Sequence, residues 1–151
     1  MFDDPSATMT AYVDDGRYIA KLVRLEPTDH AQYGPGVRWV FHLATPETMS
    51  LVVDVDGQPY ELWQTTSTKM GKNVRSGKVA RARTWSEALL DREIADSETG
   101  ADIGESVVGR KAVVLIGKNE AGYPRILQMD PYSALSRPKT PVAVVSVDET
   151  F

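Results

Sequence analysis

The sequence predicts a mainly β domain with five principal strands and one helix between the third and fourth. Runs rich in Val, Ile, Tyr and Trp recur along the chain, Gly, Pro and Asp separate them, and one stretch has the apolar spacing of a helix. At 151 residues and 42% hydrophobic, the chain is long enough for one substantial core. We assign residues 16–132 to the domain, 1–15 to a flexible N-terminal arm and 133–151 to a flexible C-terminal tail.

The first two predicted strands are joined by a glycine-rich turn. Residues 16–26, GRYIAKLVRLE, suit a strand with one polar face and enough length to bend. Residues 33–36, YGPG, supply the turn. Residues 37–43, VRWVFHL, form the second strand, in which Arg38 and His42 share the polar face. The opposite, core face carries the bulky apolar side chains Trp39, Phe41 and Leu43.

A hairpin is predicted to supply the third strand. Residues 51–55 are followed by Asp56-Gly57, a dipeptide that suits the positive-φ turns of tight hairpins, and residues 60–66 return from it. Alternation places Trp63 on the polar face of the returning strand. Burial of Trp63 in the core is the alternative.

One helix and a second hairpin complete the predicted fold. The helix spans 78–94 with Ser76 as its N-cap. Its apolar stripe consists of Val79, Ala82, Trp85, Ala88 and Leu89. The polar residues 96–106 form a connector, and 108–116 and 123–129 are the last two strands. This order is that of an OB-fold, a partly open Greek-key barrel, although other small barrels and sandwiches have similar patterns.

Basic residues are concentrated in residues 69–83, KMGKNVRSGKVARAR, which we term the basic segment. It carries six bases and lies in an acid-free window between Glu61 and Glu87, whereas the rest of the chain has 11 of the 17 bases and all 21 acids. Such a charge split indicates a polyanion site, although most charge runs are only solvated surfaces. We expect residues 69–75 to be a loop and 78–83 the first turns of the helix.

Four stretches of the chain resemble OB-fold single-stranded-DNA-binding proteins of bacteriophages and their bacterial relatives. They are GRYIAKLVRLE, YGPGVRWVFHL, the GRKAVV strand that begins at Gly109, and GYPRI followed by Asp130-Pro131. The resemblance covers roughly residues 16–132. It implies an OB barrel whose concave face and adjoining loops hold unpaired nucleic acid during replication or recombination.

The C-terminal tip is similar to the acidic, aromatic-ended tails with which such proteins recruit replication enzymes. Asp148, Glu149 and Phe151 would be the partner-binding residues on this interpretation. The alternative is that the apolar residues before them, Val142, Val144 and Val147, form an extra strand in the barrel or in a homo-oligomer.

Unpaired nucleic acid offers one phosphate per nucleotide and exposed base faces, so a binder needs cations along a groove and aromatic platforms within it. Trp63 is the platform we favour. The predicted nucleic-acid-binding residues are Lys69, Lys72, Arg75, Lys78, Arg81, Trp63, Arg38, Tyr33 and Arg125. Arg38 and His42 on the second strand, and Arg125 with Tyr123 on the last strand, are second-tier candidates. RNA or duplex binding stays open.

Other chemistries fit the sequence less well. Cysteine is absent and His30 and His42 are the only histidines, so neither a metal nor a cofactor is expected. Residues 71–78 differ from a phosphate-binding loop because five residues separate the glycines and Val79 replaces the magnesium-binding Ser or Thr. No nucleophile, base and orienting group are recognisable, so we do not expect an enzyme. The alternative function is a protein-interaction or virion-associated structural barrel.

The N-terminus and the hydropathy predict a cytoplasmic protein, in the host cytoplasm if a phage encodes it. The first fifteen residues include four aspartates and lack the apolar core of a secretory signal. No run approaches the roughly 20 apolar residues of a membrane span.

Overall fold

A computed structural model describes residues 13–32, 34–71, 75–76 and 78–136. Its strands are β1 (Gly16–His30), β2 (Gly34–Ala44), β3 (Glu61–Ser67), β4 (Lys111–Lys118) and β5 (Pro124–Pro131). Its helices are α1 (Arg81–Leu90), α2 (Gly100–Val107) and α3 (Ser133–Ser136). The prediction of a mainly β domain with five strands is confirmed.

The five strands form one antiparallel sheet in the order β3-β2-β1-β4-β5. The long central strand β1 pairs with β4 through Gly16–Lys21 and with β2 from Ile19 to His30. A register shift between Leu22 and Arg24 interrupts the second ladder. Such an irregularity bends a strand, so β1 can pair with both β2 and β4.

The sheet is not closed into the predicted barrel. Its edge strands β3 and β5 approach each other, and the Ile126 backbone N–H donates to Gln64 Oε1 at 2.9 Å. Among the described residues, no backbone ladder joins these two strands. Where β3 and β5 approach each other, a hydrogen bond to a glutamine side chain therefore takes the place of a backbone–backbone hydrogen bond.

The core lies between α1 and one face of the sheet. Trp85 of α1 packs edge-to-face against Trp39, with ring centroids 5.3 Å apart, and against Phe41 at 6.0 Å. Trp39, Phe41 and Leu43 are all buried, as the alternation predicts. The Trp39 indole N–H donates to Thr66 Oγ1 at 2.9 Å, which ties the core of β2 to β3.

Helix α1 begins at Arg81, so the predicted start at Lys78 is wrong. Ala80 has an extended conformation, and its N–H donates to the carbonyl of Gly71 at 2.9 Å. This contact keeps the chain before Arg81 extended. The predicted cap, Ser76, instead accepts a hydrogen bond from the backbone N–H of Lys78. The helix ends at Leu90 because Asp91 is left-handed, with φ 57°.

The predicted connector 96–106 contains most of a second helix, so the prediction of one helix between β3 and β4 is also wrong. The N-cap of α2 is Thr99, whose side chain accepts from the Asp102 N–H at 3.1 Å. Ile103 and Val107 bury the inner side of α2. Every described helix is too short or too polar to cross a bilayer.

The predicted strand 51–55 is reduced to two isolated bridges, Ala44–Leu51 and Val53–Pro59. Asp54 Oδ1 accepts from the backbone N–H groups of Asp56 and Gln58, so a side chain satisfies donors at this turn. Gly57 has the predicted positive φ, at 81°.

Residues 13–15, at the end of the predicted arm, pack on the domain. Val13 is buried, and Lys118 Nζ donates to its carbonyl at 2.6 Å and to Asp15 Oδ1 at 2.7 Å. Residues 1–12 and most of the predicted tail, 137–151, lie outside the described residues.

Candidate nucleic-acid interface

The face of β1, β2 and β3 that points away from the core has three rows of residues, which together we term the outer face. Residues in one row are directly opposite one another on neighbouring strands. The rows are Lys21–His42–Glu61, Arg24–Val40–Trp63 and Glu26–Arg38–Thr65. Because successive side chains of a strand alternate between faces, the outer face is polar where the opposite face is apolar.

Trp63 is the most prominent aromatic residue of the outer face. Its side chain is 57% exposed, so the alternative of core packing is excluded. The guanidinium carbon of Arg38 lies 4.7 Å from the Trp63 ring centroid, within the range of a cation–π interaction. Arg38 thus packs on the ring while Trp63 stays accessible.

A cleft of about 840 Å³ opens beside the outer face, and we term it the segment cleft. It lies between the turn end of the β1–β2 hairpin, the end of β3 and the last part of the basic segment. Three cationic side chains, Arg38, Lys78 and Arg81, line it together with Thr65 and the backbone of Gly36. Asp29 is the one carboxylate among the described residues that line it.

A second cleft of about 510 Å³, the aromatic cleft, lies between β3 and the loop that precedes β5. Trp63, Tyr123 and Arg125 line it. Tyr123 is 68% exposed, which places a second aromatic ring within reach of a ligand in the same cleft.

The two clefts meet at Thr65, which lines both of them. Arg38 connects them as well, because it lines the segment cleft and packs on Trp63 of the aromatic cleft. Five predicted site residues are therefore brought together: Trp63, Arg38, Lys78, Arg81 and Arg125. Thr65 was not predicted as a site residue, because it has neither the charge nor the aromatic ring on which that prediction depended.

The other predicted site residues lie either outside the two clefts or outside the described residues. Lys69 and Arg75 are exposed but line neither cleft. Tyr33 and Lys72 lie outside the described residues, as do the predicted partner-binding residues Asp148, Glu149 and Phe151.

Arg83, the last base of the basic segment, is structural. The residue is only 7% exposed. Its guanidinium donates to the carbonyls of Met70 at 3.3 Å and Ile94 at 2.6 Å, and to Asp96 Oδ1 at 3.0 Å. The carbonyl of Gly71, next to Met70, also accepts from the Ala80 N–H, so the two ends of the basic segment are hydrogen-bonded to each other at the start of α1.

The outer face carries an ion-pair network that the sequence analysis did not identify. Arg24 contacts Glu61 with two nitrogens, at 2.9 and 3.0 Å, and Glu26 with Nε at 2.6 Å. Glu26 also accepts from Arg38 at 3.3 Å, and Glu61 lies 3.3 Å from His42 Nε2. The hydrogen bonds to Glu61, chiefly those from Arg24 and then that of His42, lower the pKa of Glu61 to about 2.

The cations of the clefts differ from Arg24 in their surroundings. Within the described part of the chain, Lys78, Arg81 and Arg125 have no ion-pair partner. Their charges are therefore available to a bound anion. We term these three residues the cationic rim.

Gly36 forms a tight contact in the segment cleft, which leads to a testable prediction. A Cβ at this position would lie 2.8 Å from the Thr66 carbonyl oxygen and 2.9 Å from Thr28 Oγ1. Because the backbone of β3 must then move, we expect Gly36→Ala to destabilise the protein by at least about 1 kcal/mol in thermal denaturation. Gly71→Ala, where the added Cβ meets open space, is the matched control. Equal melting temperatures for the two variants would contradict this account.

No protein-family model matches the chain, and no curated protein matches its sequence. Within the described ranges, His, Asp and Glu side chains form no group of three or more that is suited to hold a metal ion. The functional assignment therefore rests on the geometry of the outer face and its two clefts.

Proposed function

We propose that this protein is a non-enzymatic single-stranded-DNA-binding protein that acts in the cytoplasm during DNA replication or recombination, in a phage or in a bacterium. The observation that carries the proposal is the junction of the two clefts. An exposed tryptophan and an exposed tyrosine line one cleft, unpaired cations line the other, and Thr65 and Arg38 connect them.

The chemistry of a single strand matches this junction. Bases stack on aromatic rings for about 1–3 kcal/mol each and need no defined sequence to do so. Trp63 and Tyr123 provide such rings, both more than half exposed. Lys78 and Arg81 in the segment cleft and Arg125 in the aromatic cleft provide positive charge for the phosphates.

The fold supports this proposal through the location of the site. In an OB-fold, oligonucleotides bind to the face of the second and third strands and to the loops between strands 1 and 2 and strands 4 and 5. Trp63 and Arg38 lie on β3 and β2. His30, at the β1–β2 turn, lines the segment cleft, and Asn119, in the β4–β5 loop, lines the aromatic cleft. We therefore interpret the open sheet as an OB-fold whose Greek-key barrel is left open between β3 and β5.

Titration of the full chain with oligo-dT at several salt concentrations tests the proposal. We expect binding at low salt and a linear fall of log K with log salt concentration, of about 0.7 for each phosphate contacted. RNA and duplex DNA of the same length are the comparators, and the single DNA strand should bind most tightly. Absence of binding to any single strand at low salt would refute the proposal.

A second candidate function, a protein-interaction or virion-associated structural module, is favoured by one feature. Four apolar residues at alternating positions before β3 are exposed: Met49, Leu51, Val53 and Val55. Contiguous exposed apolar surface is typical of protein interfaces. Val53→Asp separates the two functions, because it should abolish association with a protein partner and leave oligo-dT binding unchanged.

A further inference from the structure

The ion-paired centre of the outer face is formally neutral, whereas Lys21 at one border and the segment cleft at the other carry positive charge. Two guanidiniums, Arg24 and Arg38, face two carboxylates, Glu26 and Glu61, and three ion pairs join them. Lys78 and Arg81 of the cationic rim line the segment cleft, and Arg125 lines the aromatic cleft, where the other charged lining residue is Glu61. A polyanion across this face therefore meets two environments of different charge.

The carboxylates are close to the proposed base platform. Glu61 precedes Trp63 by two residues on β3, so both side chains point to the outer face. On the other side of Trp63, Arg38 lies against the ring, and Glu26 is its direct cross-strand partner. Trp63 thus lies between the carboxylate of Glu61 and the guanidinium of Arg38, which donates a hydrogen bond to Glu26.

The same carboxylates fix the orientation of the arginines. Glu61 accepts two hydrogen bonds from the fork of Arg24, and Glu26 accepts from both Arg24 and Arg38. Charge-assisted bidentate pairs of this kind are short and directional. A phosphate that approached Arg24 would have to displace Glu61 and would be repelled by it. Glu61 is ionised at neutral pH, and the hydrogen bonds from Arg24 lower its pKa further, to about 2.

We propose that Glu26 and Glu61 are positioning residues that exclude phosphates from the centre of the outer face, so that only bases contact Trp63 there and phosphates lie along the cationic rim. The inference rests on the proposed function and adds to it the orientation of the DNA strand on the outer face, with bases toward Trp63 and phosphates toward the cationic rim. It assigns different roles to two sets of basic residues. Arg24 and Arg38 shape the base platform, and Lys78, Arg81 and Arg125 bind phosphates.

Substitution of Glu61 by glutamine tests the inference through the salt dependence of oligo-dT binding. Glu61→Gln removes the repulsion and the ionic partner of the two terminal nitrogens of Arg24, which can then contact one more phosphate while Nε stays paired with Glu26. The salt slope should become steeper by about 0.7, which corresponds to roughly 8-fold tighter binding at about 50 mM salt. Glu105→Gln, an exposed carboxylate on α2 that lines neither cleft, makes the same change in net charge and should leave the slope unchanged.

The double variant Arg24→Gln/Glu61→Gln distinguishes release of Arg24 from a general effect of charge. It keeps the net charge of the unmodified protein and should keep its salt slope, because Arg24 contacts no phosphate in the unmodified protein. A slope that is shallower by about 0.7 in the double variant would overturn the inference, since it would mean that Arg24 already binds a phosphate.

The outcomes also separate this inference from the proposed function. If the unmodified protein binds oligo-dT and Glu61→Gln changes neither affinity nor slope, the role of the carboxylates is refuted while single-strand binding stands. If the unmodified protein binds no single strand, both are refuted.

Discussion

Replacement of Lys78 and Arg81 by glutamine is expected to weaken oligo-dT binding roughly 65-fold at about 50 mM salt. Both side chains are exposed, line the segment cleft and have no ion-pair partner among the described residues. Each phosphate contact on a single strand contributes about 0.7 to the salt slope, so the slope should fall by about 1.4 in the double variant. Fluorescence anisotropy of a labelled oligo-dT at several salt concentrations measures both quantities.

Arg17→Gln/Arg110→Gln is the matched control, because it removes two exposed positive charges that line neither cleft. We expect a change of less than about 2-fold for this control, since distant surface charges are screened by salt. An equal loss of affinity in both double variants would contradict a localised site and would indicate attraction by net charge alone. Loss of protein assembly with unchanged DNA binding would favour the protein-interaction alternative.

Alternation along the strands made one half of the site predictable. The period of two in β2 and β3 placed Trp39 and Phe41 in the core and Trp63 on the polar face, and the exposed fractions agree. The alternation of side chains along a strand depends only on the strand's own residues, so it can be predicted without knowledge of the partner strand. The run of bases was equally visible in the sequence.

The partners of charged residues were not predictable in the same way. Arg24 and Glu61 are 37 residues apart, and only the pairing of β1, β2 and β3 brings them together. Arg83 was counted with the other bases of the basic segment, but its guanidinium is satisfied by the carbonyls of Met70 and Ile94. A one-dimensional charge count cannot separate a structural arginine from one that is available to a ligand.

The helix boundaries show a similar competition between local and tertiary preferences. Residues 78–80 have helical spacing with the residues that follow, yet Ala80 is extended because its N–H donates to the Gly71 carbonyl. One consequence is functional. Lys78 lies outside α1 and lines the segment cleft, and Arg81, the first residue of α1, lines the same cleft.

Trp63→Ala is expected to weaken oligo-dT binding by about 1–3 kcal/mol, which corresponds to roughly 5- to 150-fold. The effect should come from loss of one stacking platform, because Trp63 is exposed and its removal opens no cavity in the core. Trp63→Phe retains an aromatic face and should recover most of the affinity. Melting temperatures of both variants should stay close to that of the unmodified protein.

Intrinsic fluorescence gives a second, independent measure of stacking on Trp63. The chain has three tryptophans, and the other two, Trp39 and Trp85, are only 3% and 4% exposed. Quenching by oligo-dT should therefore come almost entirely from Trp63 and should disappear in Trp63→Phe, while anisotropy still reports binding. Quenching that persists in Trp63→Phe would place the bases elsewhere or indicate a change in the core. Quenching of undiminished size in Trp63→Phe would show that the signal does not arise from stacking on Trp63 and would contradict its role as the base platform.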